Sequence, residues 1–107
     1  MELQQLNQLM IRSMKEIREI TNDLEQLATK KADAEQTYQM ELAKTTHKLK
    51  DDNSVTLIKS LADGEVAHLK REKNLAEDIY KARLKKLEAL QSELSALQSI
   101  YRHQNDM

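Results

Sequence analysis

The side chains with the most chemical reach in this sequence are three histidines, His47, His68 and His103, and a basic run between Lys70 and Lys86. No histidine has another three or four positions away, so none makes a helical metal clamp by itself. Glu65-Val66-Ala67-His68 matches the Glu-x-x-His element of di-iron bundles. That site takes two such elements and two further inward-facing glutamates, and the chain carries one element. A second copy could supply the other, but the better reading of His68 is an exposed side chain on a solvated face. No metal and no other cofactor is expected.

Nucleophilic catalysis needs a Ser or Cys held against a base by a rigid scaffold. The chain has no cysteine, and its serines are scattered along helical stretches. A single glycine, Gly64, cannot build a phosphate-cradling loop. An isolated helical hairpin offers no deep pocket. The expectation is therefore a protein that is not an enzyme.

The basic run holds Lys70, Arg71, Lys73, Lys81, Arg83, Lys85 and Lys86 against Glu72, Glu77 and Asp78. Such a stretch can meet phosphates. Tyr80 is the one aromatic there, which gives little support to base stacking, and Glu77 with Lys81 is ordinary i,i+4 helix support. Charge runs on helices are usually solvated faces. Nucleic acid is thus the secondary reading, with Lys70, Arg71, Lys81, Lys85 and Lys86 as the face that would touch it or a protein partner. The formal net charge of −1 gives the whole molecule no strong pull toward nucleic acid or anionic lipid.

The elements that must carry these residues are helices. The 107 residues are enough for one domain; they include no Pro, no Trp and no Phe, and charged residues make up 33%. Glu, Lys, Leu, Gln and Ala dominate and lose little side-chain freedom in a helix. The absence of cysteine excludes a disulfide framework. No apolar run approaches the roughly 20 residues that span a bilayer, and no basic start followed by an apolar stretch marks a signal peptide. The expected location is the cytoplasm, away from membranes.

The first helix is expected over about 3–50. Its stripe reads Leu3, Leu6, Met10, Ile17, Ile20, Leu24 and Leu27, in steps of three and four that suit a partner helix. Ser13 is a polar slot that Met14 would cover. Beyond Leu27 the pattern weakens through Lys31, Ala34, Tyr38, Leu42 and Leu49. Asp51-Asp52-Asn53-Ser54 is the one clear turn, at 51–54, because such side chains bond nearby backbone groups. The β-branched run Val55-Thr56-Leu57-Ile58 has no partner strand and is assigned to a short helix over about 55–63. Gly64 is the expected hinge, because glycine costs roughly 1 kcal/mol relative to Ala in a helix interior. A last helix over about 65–103 carries Val66, Leu69, Lys73, Ala76, Tyr80, Arg83, Leu87, Leu90, Leu94, Leu97 and Tyr101 in strict three-four alternation. Lys73 and Arg83 would lay their methylenes on the seam and send their charges to water. Tyr38, Tyr80 and Tyr101 are read as packing residues.

Two arms of similar length joined by a short polar turn pack antiparallel most easily. The predicted fold is therefore all-α: a single antiparallel, coiled-coil-like helical hairpin over 1–107, with Leu3 and Leu6 near Leu97 and Tyr101, and Leu24 near Ile79 and Tyr80. One stripe per helix makes a thin core, and thin cores usually gain a partner or a staple. The apolar face is also wider than a seam needs, through Leu9, Ile11, Met14, Leu75, Ile79 and Leu84. A homo-oligomer is expected, with a dimer forming a four-helix bundle favoured over a monomer with scattered exposed apolar residues.

The block Val55-Thr56-Leu57-Ile58, then Leu61-Ala62-Asp63-Gly64, then Ala76-Glu77-Asp78-Ile79-Tyr80-Lys81-Ala82, preceded by Tyr38, Leu42, Ala43 and Lys44, carries a resemblance. It resembles small uncharacterised helical proteins of phages and prophages of Gram-positive bacteria, from early regions near replication and recombination genes. The similarity covers about a third to a half of the chain; the N-terminal third matches only generic coiled coil. The resemblance implies a structural Gly64, no catalytic residue and, for a phage-encoded chain, residence in the host cytoplasm. Together these readings lead to a non-enzymatic phage or prophage accessory protein acting through helix–helix contacts with a phage or host protein. The alternatives are a replication or recombination accessory that touches DNA through its basic face, and an inhibitor that docks a helix on a host protein.

Overall fold

A computed structural model describes residues 2–51 and 53–106. Asp52, part of the turn expected at 51–54, lies outside the described residues. The fold is all-α, with α1 at Leu3–Leu49, α2 at Val55–Glu65 and α3 at Ala67–Asn105. Helix α1 packs against α3 as a helical hairpin. Backbone contacts divide the chain into two compact units, one joining residues 1–26 to 81–107 and one spanning Leu27–Tyr80.

In the first of these, the terminal unit, Leu6, Met10 and Leu97 form a buried cluster, with Leu9, Leu94 and Tyr101 packed on it. Residues from the start of α1 thus meet residues from the end of α3, which makes the pair antiparallel. Leu6 is fully buried, and Ile20 and Leu90 are buried further along. Leu3, expected in the seam, is 44% exposed. Helix α3 has no apolar side chain between Tyr101 and its end at Asn105 to cover it. Ser13 itself is buried at 4% exposure, while Met14, expected to cover that slot, is exposed. A serine is small enough to enter a seam whole, so no neighbour has to cover it.

The second, the turn unit, is built by local chemistry. As α1 ends, the Lys50 amide donates back to the His47 carbonyl at 3.3 Å, and the Asn53 side-chain amide donates to the Leu49 carbonyl at 3.2 Å. His47 and Lys48 stand in the last turn of α1, where positive charge suits the helix dipole. Ser54 then caps α2: its backbone is extended, and its Oγ accepts from the Leu57 amide at 3.4 Å. The β-branched run after it is therefore helical. Ile58, Ala62 and Val66 follow at four-residue intervals and are all buried.

The break between α2 and α3 falls at Val66, not at Gly64. Val66 has φ −103° and ψ 11°. Its amide still donates to Ala62, and its carbonyl accepts from both Leu69 and Lys70, so hydrogen bonding runs through the break. Gly64 lies inside α2 without a positive φ, and a Cβ placed on it would meet nothing within 4 Å. Neither turn geometry nor a close approach within the chain requires glycine there.

The two charged slots of this unit's seam carry its most specific contacts. The Lys31 ammonium lies 5.2 Å from the centre of the Tyr80 ring, and the Lys73 ammonium lies 5.5 Å from the centre of Tyr38. Both distances suit a cation over an aromatic face. Lys73 does not send its charge to water as expected; it sends it across the seam. Tyr80 meets Lys31, seven residues further along α1 than the Leu24 expected beside it. The pairs are reciprocal: α1 gives a lysine and then, seven residues on, a tyrosine, and α3 answers in reverse order. That order fixes the helices as antiparallel here too.

Candidate interaction faces

The seam side chains form a graded stripe. Leu6, Met10, Ile20, Tyr38, Leu90 and Leu97 are buried, and Ile17, Leu24, Leu27, Leu69, Ala76, Tyr80, Leu87, Leu94 and Tyr101 are half-buried. Arg83, expected in the stripe, is exposed, and its neighbour Leu84 is half-buried instead. Either residue keeps a three-or-four step from Tyr80 and Leu87, and the apolar one goes inward because its burial carries no charge to desolvate. Thr45 joins the buried set at 8% exposure, a position the apolar pattern does not mark. Among the described residues, no buried side-chain nitrogen or oxygen lacks a hydrogen-bond partner.

The seam leaves a second apolar line uncovered. Leu57, Leu61, Leu75 and Ile79 are 46, 41, 57 and 42% exposed. All four lie on α2 and α3 within the turn unit. Leu75 and Ile79 also line a small groove with Leu27, Lys30, Glu72 and Ala76. A larger open groove of about 640 Å³ runs between the end of α1 and α2. Its lining includes the apolar Leu42, Ile58 and Ala62 and the polar His47, Lys50, Lys59 and Asp63. Thr46, which also lines it, donates its hydroxyl to the Leu42 carbonyl at 2.7 Å.

No family model, curated protein or solved structure matches this chain. The reading of its surface therefore rests on the residues themselves.

The basic residues separate between the two units. Lys70 and Arg71, both exposed, share a shallow groove of the turn unit with Asp63, Asn74 and Asp78. Two carboxylates on the same surface offset the two cations, which weakens that patch as a phosphate site. Lys81, Lys85 and Lys86 are exposed on the terminal unit. Glu65 and His68 are both exposed, and among the described residues no group of three or more His, Asp or Glu is placed to hold a metal ion. The hydroxyls of Thr21, Thr46 and Ser54 are each engaged with backbone groups. Among the described residues, no helix is long and apolar enough to cross a membrane.

Proposed function

We propose that this chain is a non-enzymatic accessory protein, of the kind phages and prophages encode, that works in the cytoplasm by docking helix on helix. The observation that carries this reading is the uncovered line Leu57, Leu61, Leu75 and Ile79, which stays exposed after the seam has taken its own leucines. Two exposed apolar pairs, Leu57 with Leu61 and Leu75 with Ile79, on a chain otherwise rich in charge suit a protein contact. The partner is a second copy, a phage protein or a host protein.

The test is purification of the tagged chain from a Gram-positive host beside the double variant Leu61→Glu, Leu75→Glu. The wild-type chain is expected to hold a stoichiometric helical partner, itself or another protein, and the variant to lose it while staying helical by circular dichroism. Retention of the partner by the variant refutes the docking face. A DNA gel shift that weakens with salt and disappears in Lys81→Glu, Lys85→Glu would replace this reading with the nucleic-acid one.

A further inference from the structure

We infer that the groove between the end of α1 and α2 is the seat for a helix of another protein, a helix with an apolar stripe flanked by carboxylates. This surface is separate from the outer line of Leu57, Leu61, Leu75 and Ile79, and the inference stands without that line.

The argument starts from what the turn leaves open. Helix α1 stops at Leu49 and α2 starts at Val55, so residues 50–54 bring the two to either side of one groove. The buried Ile58 and Ala62 line it together with the half-buried Leu42 and the exposed Ala43 and Val55. Val55 is the most exposed large apolar side chain of the described residues, at 85%. The Ser54 cap does not call for it. A β-branched residue is also a poor choice for an exposed helical position, because it loses side-chain freedom there. Within the single chain, an uncovered valine at the mouth of an apolar groove has no use.

Shape selects a helix as the occupant. The lining residues fall within 42–50 on α1 and the turn, and within 55–63 on α2. Each stretch is about 12 Å long at the helical rise. The groove of about 640 Å³ is open along one side, whereas a small-molecule site encloses most of its ligand. A trough two turns long and open on one side suits the apolar stripe of a third helix, with anchors at i, i+3 or i+4, and i+7.

Charge selects the sign of that helix. Among the described residues, the ionisable side chains lining the groove are His47, Lys50, Lys59 and Asp63, all exposed. Neither Lys50 nor Lys59 is held in an ion pair among the described residues. Asp51 is exposed but does not line the groove. Two unspent ammonium groups beside an apolar trough complement carboxylates beside an apolar stripe. Lys50 adjoins the turn and Asp63 lies at the far end of the groove, so the partner's carboxylates belong toward the turn.

The test uses the full chain and two synthetic labelled helical peptides, read by fluorescence anisotropy. Both carry leucines at i, i+4 and i+7 on an alanine background; one has Glu beside the stripe and the other has Lys. The acidic peptide should bind about tenfold more tightly, the scale of two surface ion pairs gained against two like-charge contacts. That preference should shrink as salt rises. Lys50→Glu with Lys59→Glu should abolish or reverse it, and Val55→Ser should weaken the acidic peptide without adding charge, both with helicity retained by circular dichroism. Leu61→Glu with Leu75→Glu should leave the binding unchanged. Equal affinity for the two peptides overturns the inference, as does binding of neither, or binding that survives both groove variants. A wild-type dimer by light scattering that Lys50→Glu, Lys59→Glu turns monomeric puts a second copy in the groove and also overturns it. Binding lost only in Leu61→Glu, Leu75→Glu refutes the groove and leaves the outer-line reading standing. Acidic-peptide binding with the expected groove dependence, beside an outer-line variant that loses no partner, refutes the outer line and leaves the groove.

Discussion

Exchanging Lys73 for Met removes an ammonium from the seam and keeps a side chain of similar length. If that ammonium is held by the Tyr38 ring, the loss should depend on the ring being present. Cation–π contacts contribute about 0.5–1 kcal/mol at exposed sites and about 2 kcal/mol or more when desolvated. Tyr38 is 9% exposed and Lys73 is half-buried, so a coupling of about 1 kcal/mol is expected for this pair. Tyr80 and Lys31 are both half-buried, which puts their coupling at the lower end, about 0.5–1 kcal/mol. The assay is a double-mutant cycle for each pair, Lys73→Met with Tyr38→Leu and Lys31→Met with Tyr80→Leu, by urea unfolding followed by circular dichroism. The cycle cancels the packing lost with each tyrosine and isolates the pair. The pairs lie seven residues apart, about 10 Å along a helix, so their couplings should add to within about 0.5 kcal/mol. The competing idea is that both lysines only tolerate the seam by reaching water. It predicts that Lys→Met is neutral or stabilising with or without the tyrosine. Couplings indistinguishable from zero in both cycles would refute the cation–π account.

Two other substitutions test the core and the glycine. Leu6→Ala removes the one large side chain that is fully buried among the described residues and should cost about 2–5 kcal/mol in urea unfolding; a loss under about 1 kcal/mol, the scale of an ordinary surface or propensity change, would mean the terminal cluster does not anchor α1 on α3. Gly64→Ala adds a methyl group into open space at a helical backbone position and should stabilise the chain by about 0.5–1 kcal/mol. It should raise the melting midpoint by a few degrees; a lowered midpoint would show that α2 does not hold Gly64 in an ordinary helical turn.

What the sequence revealed of this fold, and what it hid, follows from how each residue announces itself. Leu6, Met10 and Leu97 are apolar and in step, so the stripe and the seam were legible. Ser54 ahead of Val55-Thr56-Leu57-Ile58 was legible as a capped turn because its hydroxyl replaces a backbone acceptor. Thr45 was not, because a pattern scored by apolarity passes over small hydroxyl residues even where they fall in step; Ser13 was legible as a slot in the stripe, but its burial without Met14 over it was not. Lys31 and Lys73 were visible as charged slots, but their partners were not. Only the register that sets 31 against 80 and 73 against 38 tells a lysine that spans the seam from one that escapes to water. Arg83 and Leu84 show the limit of spacing alone, since both satisfy it and desolvation chooses between them. Gly64 drew attention as the sole glycine, yet the break came at Val66, where a buried side chain and a change in ψ coincide. The outer line lay in the same sequence but was masked by the seam. Its members look like surplus until exposure separates them from the residues α1 covers.

The charged slots of the seam carry the work of specificity. Along the seam, charge is placed inside, where each lysine has one ring to satisfy it, so a slipped register would strand an ammonium beside leucine. That is a penalty against wrong pairings as much as a gain for the right one, and it makes the hairpin choose a register that leucines alone would leave open. Polar residues placed among apolar ones at helical spacing thus select one alignment from many that hydrophobicity would permit.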